Sequence, residues 1–308
     1  PQHIKFSHKK KYCGIKVKMN YINKLASFAV LVIALSGCDF NEDFCIRNGE
    51  LVAWCDFSGI KEPLPIPAQR HMIAFPLGHT DIPSGTETAF TQDTLRWSIP
   101  QGEYRFLFYT GNYKVSDIQN YHEACLTVQT DTVEGGAYIP EIQDFCCSVM
   151  FSEHLEYQNT KRVEVSPSAF VQRLNIQINV SGNTVPLSSL KGTLSGISTG
   201  RYLVSRERTG NASLTTIFAR KQDFNRWRTS LYVFGFSPVA ENILTVKVEM
   251  DEEESAFNEE QTVDLTPYIR GFEGEELSLE LNLHVGKELT IDQPVVIPDW
   301  EEIPETEL

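Results

Sequence analysis

The sequence predicts an all-β protein made of antiparallel β-sandwiches, and three observations carry that expectation. Apolar residues alternate with polar ones at period two in several separate segments, most cleanly at Leu277, Leu279, Leu281, Leu283 and Val285 within ELSLELNLHV. Such alternation sends one face of a strand into a core and the other toward water or a second layer. The intervals between these segments are clusters of Gly, Pro, Asn and Ser, which suit hairpins and loops. No long stretch carries the 3.6-residue period of an amphipathic helix. Strands at this spacing without intervening helices favour sandwiches over a βαβ sheet.

The chain begins outside that pattern. Lys5, Lys9, Lys10, Lys11, Lys16, Lys18 and Lys24 make its start basic, with no acidic residue before Asp39. An apolar run of about eleven residues follows, Leu25 to Leu35 (LASFAVLVIAL), and then Ser36, Gly37 and Cys38. A basic head, a short apolar core and small residues form a secretory signal. The run falls short of the roughly 20 residues that a spanning helix needs. Leu35-Ser36-Gly37-Cys38 resembles the bacterial lipobox. That resemblance implies cleavage between Gly37 and Cys38, diacylglycerol on the Cys38 sulfur and attachment to a membrane through that lipid. Met19 stands where a start residue would, which makes residues 1–18 an upstream extension. Residues 1–37 are therefore set aside from the fold.

The strand signals divide into two series. The first holds Leu51 to Phe57, His71 to Phe75, the alternation Leu95, Trp97, Ile99, and the aromatic alternation Tyr104, Phe106, Phe108 between Gly102 and Gly111. The second holds Val163 and Val165, then Leu174, Ile176, Ile178 and Val180, then Leu231 to Phe236, then Leu244, Val246 and Val248, and ends with the leucine series. Pro186 to Leu190 reads as the start of one short helix. The weakest stretch between the two series is Glu153 to Lys161, polar and compatible with a short helical turn. We place the domain boundary there, giving an N-terminal sandwich at 38–157 and a C-terminal sandwich with an acidic tail at 158–308.

Charge narrows the function. Of 27 Lys and Arg and 41 Asp and Glu, seven Lys and no acid fall in residues 1–37, which leaves 20 basic and 41 acidic residues and a formal charge of −21 from Cys38 onward. Such a surface repels nucleic acid and anionic headgroups, so no nucleic-acid partner is expected. Acid concentrates in EMDEEESAFNEE, which starts at Glu249, and in the tail from Asp299 to Glu307. Both read as solvated runs.

Catalytic signals are weak, and no enzyme activity, metal or cofactor is expected. His122-Glu123-Ala124-Cys125 lacks the second histidine of a zinc-protease helix, and Ser195-Gly196 does not complete a nucleophile elbow. His71 and His79 flank Pro76 and Gly78 but read as unrelated histidines rather than a metal pair. Cys45, Cys55, Cys125, Cys146 and Cys147 are an odd set without C-x-x-C spacing. Buried free thiols are the default, with a Cys45–Cys55 loop closure left open.

Three features together resemble the fimbrillin-associated lipoproteins of Bacteroides-type bacteria, the group that contains minor-fimbrium anchor proteins. One is the lipobox followed by the acid-rich Cys38-Asp39-Phe40-Asn41-Glu42-Asp43. Another is the Leu95–Tyr109 region within TLRWSIPQGEYRFLFYTGN, a strand, a Pro-Gln-Gly turn and an aromatic strand. The last is the Val171–Gly200 region, VQRLNIQINVSG continuing to LKGTLSGISTG. The resemblance implies two transthyretin-like β-sandwich domains in series, outer-membrane attachment and exposure at the cell surface. It also implies partners among fimbrial subunits or other surface proteins, joined by strand addition.

In such systems, as the resemblance implies, shaft subunits lose an N-terminal strand to a protease and fill the groove with a neighbour's strand. An anchor should keep its N-terminus, because cutting separates it from the lipid. Arg47 is the sole basic residue between Cys38 and the first strand. Lipid retention therefore favours a fimbrial anchor or accessory subunit over a shaft subunit. Leu289 to Ile297 reads as an edge strand limited by Pro294, either completing its own domain or donated to a partner. The alternative function is glycan capture by a surface lipoprotein of a polysaccharide-uptake system, with Trp54, Trp97, Trp227, Tyr232 and the Phe106–Tyr109 strand as candidate ring faces. Trp227 is the preferred ligand contact, since the polar Asn225-Arg226-Trp227-Arg228 context reads as a loop.

Overall fold

The structure is a computed structural model and describes residues 47–60, 66–78, 82–133, 136–140, 144–182, 187–220, 225–250, 258–286 and 288–297. Met19, Gly37, Cys38, Cys45, His79, Pro186 and the acidic tail lie outside the described residues, so the readings made on them are carried by the sequence alone.

In chain order the strands are β1 (Asn48–Cys55), β2 (Arg70–Pro76), β3 (Thr86–Phe90), β4 (Thr94–Pro100), β5 (Gly102–Thr110), β6 (Lys114–Ser116), β7 (Cys125–Thr127) and β8 (Asp131–Val133). Next come β9 (Gly136–Ile139), β10 (Cys147–Leu155), β11 (Thr160–Val165), β12 (Ser168–Ala169), β13 (Gln172–Ser181), β14 (Leu187–Ile197), β15 (Gly200–Tyr202) and β16 (Arg208–Thr209). The last are β17 (Ala212–Ile217), β18 (Ala219–Arg220), β19 (Arg226–Val233), β20 (Ile243–Met250), β21 (Asn258–Asp264), β22 (Glu276–Val285), β23 (Leu289–Ile291) and β24 (Val295–Val296). Thr266–Ile269 is the one helix among the described residues. The all-β expectation holds.

Two hydrophobic cores organise these strands. The first lies between the sheet β11-β1-β4 and the sheet β12-β10-β5-β2-β3. Its centre is aromatic: Phe106 stacks on Tyr104 and Phe151 at 5.7 and 5.1 Å and meets Trp97 edge-on at 6.3 Å. The period-two pattern of β5 predicts one buried face, yet Leu107 and Tyr109 on the other face are buried too. The second core lies between β18-β19-β13-β22-β23, with β24 also on β22, and β21-β20-β14-β17-β9-β8. Leu174, Ile176 and Ile178 of β13 face it beside Leu277, Leu279 and Leu281 of β22. Burial of one such side chain contributes about 1.5–3 kcal/mol, so these strands supply much of the driving force. Gly192 of β14 lets Phe218 cross the strand, since a Cβ there would lie 2.6 Å from its ring.

Among the described residues pairing is mostly antiparallel, with three parallel exceptions: β1 with β11, β13 with β22, and β9 with β17. Parallel neighbours need long crossovers, which interleave the halves of the chain. β11 and β12 follow residue 157 but pair with β1 and β10. β9 precedes residue 157 but pairs with β17. Likewise Phe170, Val171, Leu203 and Phe234 belong to the first core and Ile139 to the second. The described residues from Asn48 onward form one compact unit.

Two local expectations are corrected. Leu187 to Leu190 opens strand β14 rather than a helix. Leu187 and Leu190 are both buried although three residues apart, because the β14–β20 register shifts between Leu187 and Ser189. The extra residue of this irregularity imitates helical spacing. Glu153 to Lys161 is not helical either. It ends β10 and begins β11 across a turn in which Gln158 has φ 54° and the Asn159 N–H donates to the Glu156 carbonyl at 3.2 Å.

Candidate functional site

Arg47 stands exposed immediately before β1. β1 is the middle strand of its sheet, antiparallel to β4 from Asn48↔Pro100 to Trp54↔Thr94 and parallel to β11 from Glu50↔Thr160 to Cys55↔Val165. Leu51 and Ala53 are fully buried between them. At the other end of the chain, β23 and β24 both pair antiparallel with β22, so the final strand segments complete their own sheet. Pro294 falls between them, where its missing N–H interrupts no ladder. Val295 and Val296 remain 61% and 49% exposed and form an apolar stretch of sheet edge.

Trp227 does not lie in a loop. It is the second residue of β19, pairs with Ile178 of β13 and is 4% exposed within the second core. Strand alternation explains the correction: Trp227, Thr229, Leu231 and Val233 point inward while Arg226, Arg228, Ser230 and Tyr232 point outward. Phe106, Phe108 and Tyr109 are also buried, and Trp54 is 38% exposed on a different sheet from Tyr232. The aromatic on the outward face of β19 is Tyr232.

Tyr232 lies at one end of a polar sheet face. Across β19, β13 and β22 the outward residues align in rows: Tyr232, Arg173 and Glu276; Ser230, Asn175 and Ser278; Arg228, Gln177 and Glu280; Arg226, Asn179 and Asn282. Hydrogen bonds join them. The Ser230 hydroxyl donates to Oδ1 of Asn175 at 2.6 Å, and Nδ2 of Asn175 donates to Ser278 at 3.2 Å and to the Glu276 carboxylate. Nε of Arg228 donates to Oε1 of Gln177 at 2.7 Å, and Nε2 of Gln177 donates to Glu280 at 2.9 Å. Nδ2 of Asn179 donates to Oδ1 of Asn282 at 3.3 Å. Beyond Tyr232 opens a cleft of about 270 Å³, lined among others by Phe145, Val171, Arg173, Tyr232 and Glu276. Phe145 and Tyr232 meet edge-on in it, 5.8 Å apart at 71°. The sequence signal for this face was the Asn-Gln-Asn alternation in LNIQINV, set beside ELNLH.

Cys55, Cys125, Cys146 and Cys147 are free thiols. Burial pushes Cys55 and Cys125 up to about 11 and Cys147 to about 12, and the fully enclosed Cys146 well above its ordinary value. His71 Nδ1 donates to Glu87 at 2.7 Å. Among the described residues no group of three or more His, Cys, Asp or Glu could hold a metal ion.

No protein-family model and no curated protein matches this sequence. Solved structures do match by shape. A candidate polysaccharide-binding protein from Bacteroides thetaiotaomicron aligns with TM-score 0.53 at 9% identity, over 84% of this chain and 100% of that one. A candidate adhesin from Bacteroides ovatus aligns with TM-score 0.50 at 15% identity, over 82% and 96%. This chain shares their fold. The fimbrial anchor protein Mfa2 from Porphyromonas gingivalis aligns over 82% and 97% at 12% identity, with TM-score 0.49.

Proposed function

We propose that the chain is a cell-surface lipoprotein of the outer membrane that serves as a fimbrial anchor or accessory subunit, held by lipid on Cys38. The observation that carries this reading is the position of β1. The strand directly after Arg47 is hydrogen-bonded on both edges and buries Leu51 and Ala53, so the body keeps its own first strand. A subunit built this way is stationary: cutting after Arg47 detaches the tether and leaves β1 paired in its sheet. The residues before Arg47 then act as the link to the lipid. The exposed Val295–Val296 edge is where a neighbouring subunit's strand would add, because an edge strand presents unpaired backbone groups. The adhesin and polysaccharide-binding descriptions of the structures with this fold fit a chain that works in adhesion.

Isolation of the native protein from outer membranes, with mass spectrometry of its partners, tests the proposal. Co-purifying fimbrial shaft subunits are expected. Recovery of only transporter and glycan-binding proteins would overturn it.

A further inference from the structure

Arg201, Arg206 and Arg208 fall together within GRYLVSRERTG, the hairpin of β15 and β16. From Cys38 onward acids outnumber bases 41 to 20, so this gathering runs against the chain's own bias. Each placement also breaks a local rule. Arg201 and Arg208 stand directly opposite each other in the antiparallel pair, where like charges repel. Arg206 has φ 63°, a left-handed conformation that glycine or asparagine adopts at less cost. All three residues are partly withdrawn from water, which penalises an unpaired charge. Burial first, then the Arg206 and Arg208 charges, pushes the Arg201 guanidinium down to about 10. Rules broken together at one place point to function rather than folding.

The protein groups that fix these side chains leave their charge uncompensated. Arg201 Nε and Nη1 donate to the carbonyls of Arg206 and Phe170 at 3.0 and 2.6 Å, and Arg206 Nη2 donates to the Ser148 carbonyl at 3.4 Å. Both guanidiniums lie against the Phe170 ring, 5.2 and 4.7 Å from its centre. Arg208 Nη2 donates to the Phe272 carbonyl at 3.2 Å and pairs with Glu273 at 3.1 Å. Among the described residues that exposed carboxylate is the only ion-pair partner of the three arginines. Arg201 Nη2, Arg206 Nε and Nη1, and Arg208 Nη1 have no protein partner among the described residues and reach solvent.

We propose that this hairpin binds a compact dianion, a phosphate or sulfate group, through the free guanidinium nitrogens of Arg201, Arg206 and Arg208. The planar fork of a guanidinium matches the oxygens of such a group, and charge-assisted hydrogen bonds of this kind are the strong ones. Backbone carbonyls already hold the arginines in place, so little order remains to be gained on binding. The acidic field of the rest of the chain repels long polyanions, which leaves a single anionic group as the ligand. The site stands apart from the fimbrial reading, because it needs neither the lipid nor a partner subunit.

Isothermal titration of the full chain with inorganic phosphate and with sulfate, at constant ionic strength in chloride, tests it. Saturable binding of at least one of them is expected. Arg206→Asn suits the left-handed turn and should weaken binding about tenfold, as expected when hydrogen bonds to a charged group are lost. Glu273→Gln removes the competing carboxylate and should tighten binding, which a purely structural role of the hairpin would not do. Arg96→Gln, at an exposed arginine of β4, should leave binding unchanged. Thermal melting without the anion should show all three variants folded. Glycerol phosphate separates two sources of the same group: affinity equal to that of phosphate marks an attached group, lower affinity a free ion, and either supports the site. Absence of saturable binding of both anions by the wild-type protein would overturn the proposal. So would unchanged binding in both Arg206→Asn and Glu273→Gln.

Discussion

Nδ1 of His71 lies 2.7 Å from Oε1 of Glu87, and the same carboxylate oxygen accepts the Tyr109 hydroxyl at 2.6 Å. The imidazole and phenol rings stack 4.5 Å apart at an angle of 6°. Three neighbouring strands, β3, β2 and β5, supply the three residues, so the cluster fastens them together by side chains as well as backbone. The His71 hydrogen bond foremost, then that of Tyr109, holds the Glu87 carboxyl below the usual carboxylate range against the opposing effect of burial.

That shift has a sign. A carboxyl with a folded value below its unfolded value of about 4.3 adds stability above that pH, and the contribution fades as pH falls through the folded value. Glu87→Gln should therefore melt earlier than wild type at pH 7. The gap between the two melting temperatures should narrow below about pH 4.3. A gap constant from pH 7 to pH 3 would show that the ionised carboxylate contributes nothing.

Trp227 and Tyr232 share β19 but stand on opposite faces, and stability separates their roles. Trp227→Ala should cost about 3–5 kcal/mol, the range for removing a buried aromatic. Tyr232→Ala, at a half-buried position on the rim of the cleft, should cost less. Urea unfolding of the two variants measures both. Equal costs would contradict the inward orientation of Trp227.

The thiols of Cys55, Cys125, Cys146 and Cys147 should be silent in the folded protein. With Cys55, Cys125 and Cys147 raised to between about 11 and 12, hardly any thiolate exists at pH 8 to attack an aromatic disulfide reagent. Cys125, Cys146 and Cys147 are also shielded from it by burial. The reagent should report these thiols only after guanidinium is added. In a chain started at Asn48, which holds only Cys55, Cys125, Cys146 and Cys147, rapid colour in native buffer from more than one thiol would refute the burial of Cys125, Cys146 and Cys147.

How much of this was readable from residues follows from the physics of each segment. Period-two alternation in β13 and β22 is a local property, so the strands and their buried leucines were legible at once. Which strands pair was not, because the parallel contacts β1–β11 and β13–β22 join segments about 100 residues apart or more. Leu187 and Leu190 misled because a register shift gives strand residues a helical interval. Trp227 misled because its polar neighbours are the outward residues of a strand, a pattern that a loop also shows. The amide face emerges only when β19, β13 and β22 are set side by side.

The proposed lipid on Cys38 makes a prediction about fractionation. Cys38→Ala should leave the body folded, since β1 begins ten residues later at Asn48, and should move the protein from the membrane pellet to the soluble fraction. Persistence in the pellet after a high-salt wash would remove the basis for the anchor.

The two ends of β1 set the last test. A chain started at Asn48 should keep the melting temperature of the longer protein, because the strand, its ladders to β4 and β11 and the buried Leu51 and Ala53 are all retained. A chain started at Asp56 loses that strand from the middle of its sheet. Losing a buried leucine alone costs about 2–5 kcal/mol, and here the ladders on both sides go as well, against a total stability of only about 5–15 kcal/mol. The shorter chain should therefore fail to fold, or recover its structure only when a peptide of residues 48–55 is added back. If it melted like the longer one, β1 would be dispensable. The first strand would then be free to leave, as in a shaft subunit, and the stationary anchor would lose its structural basis.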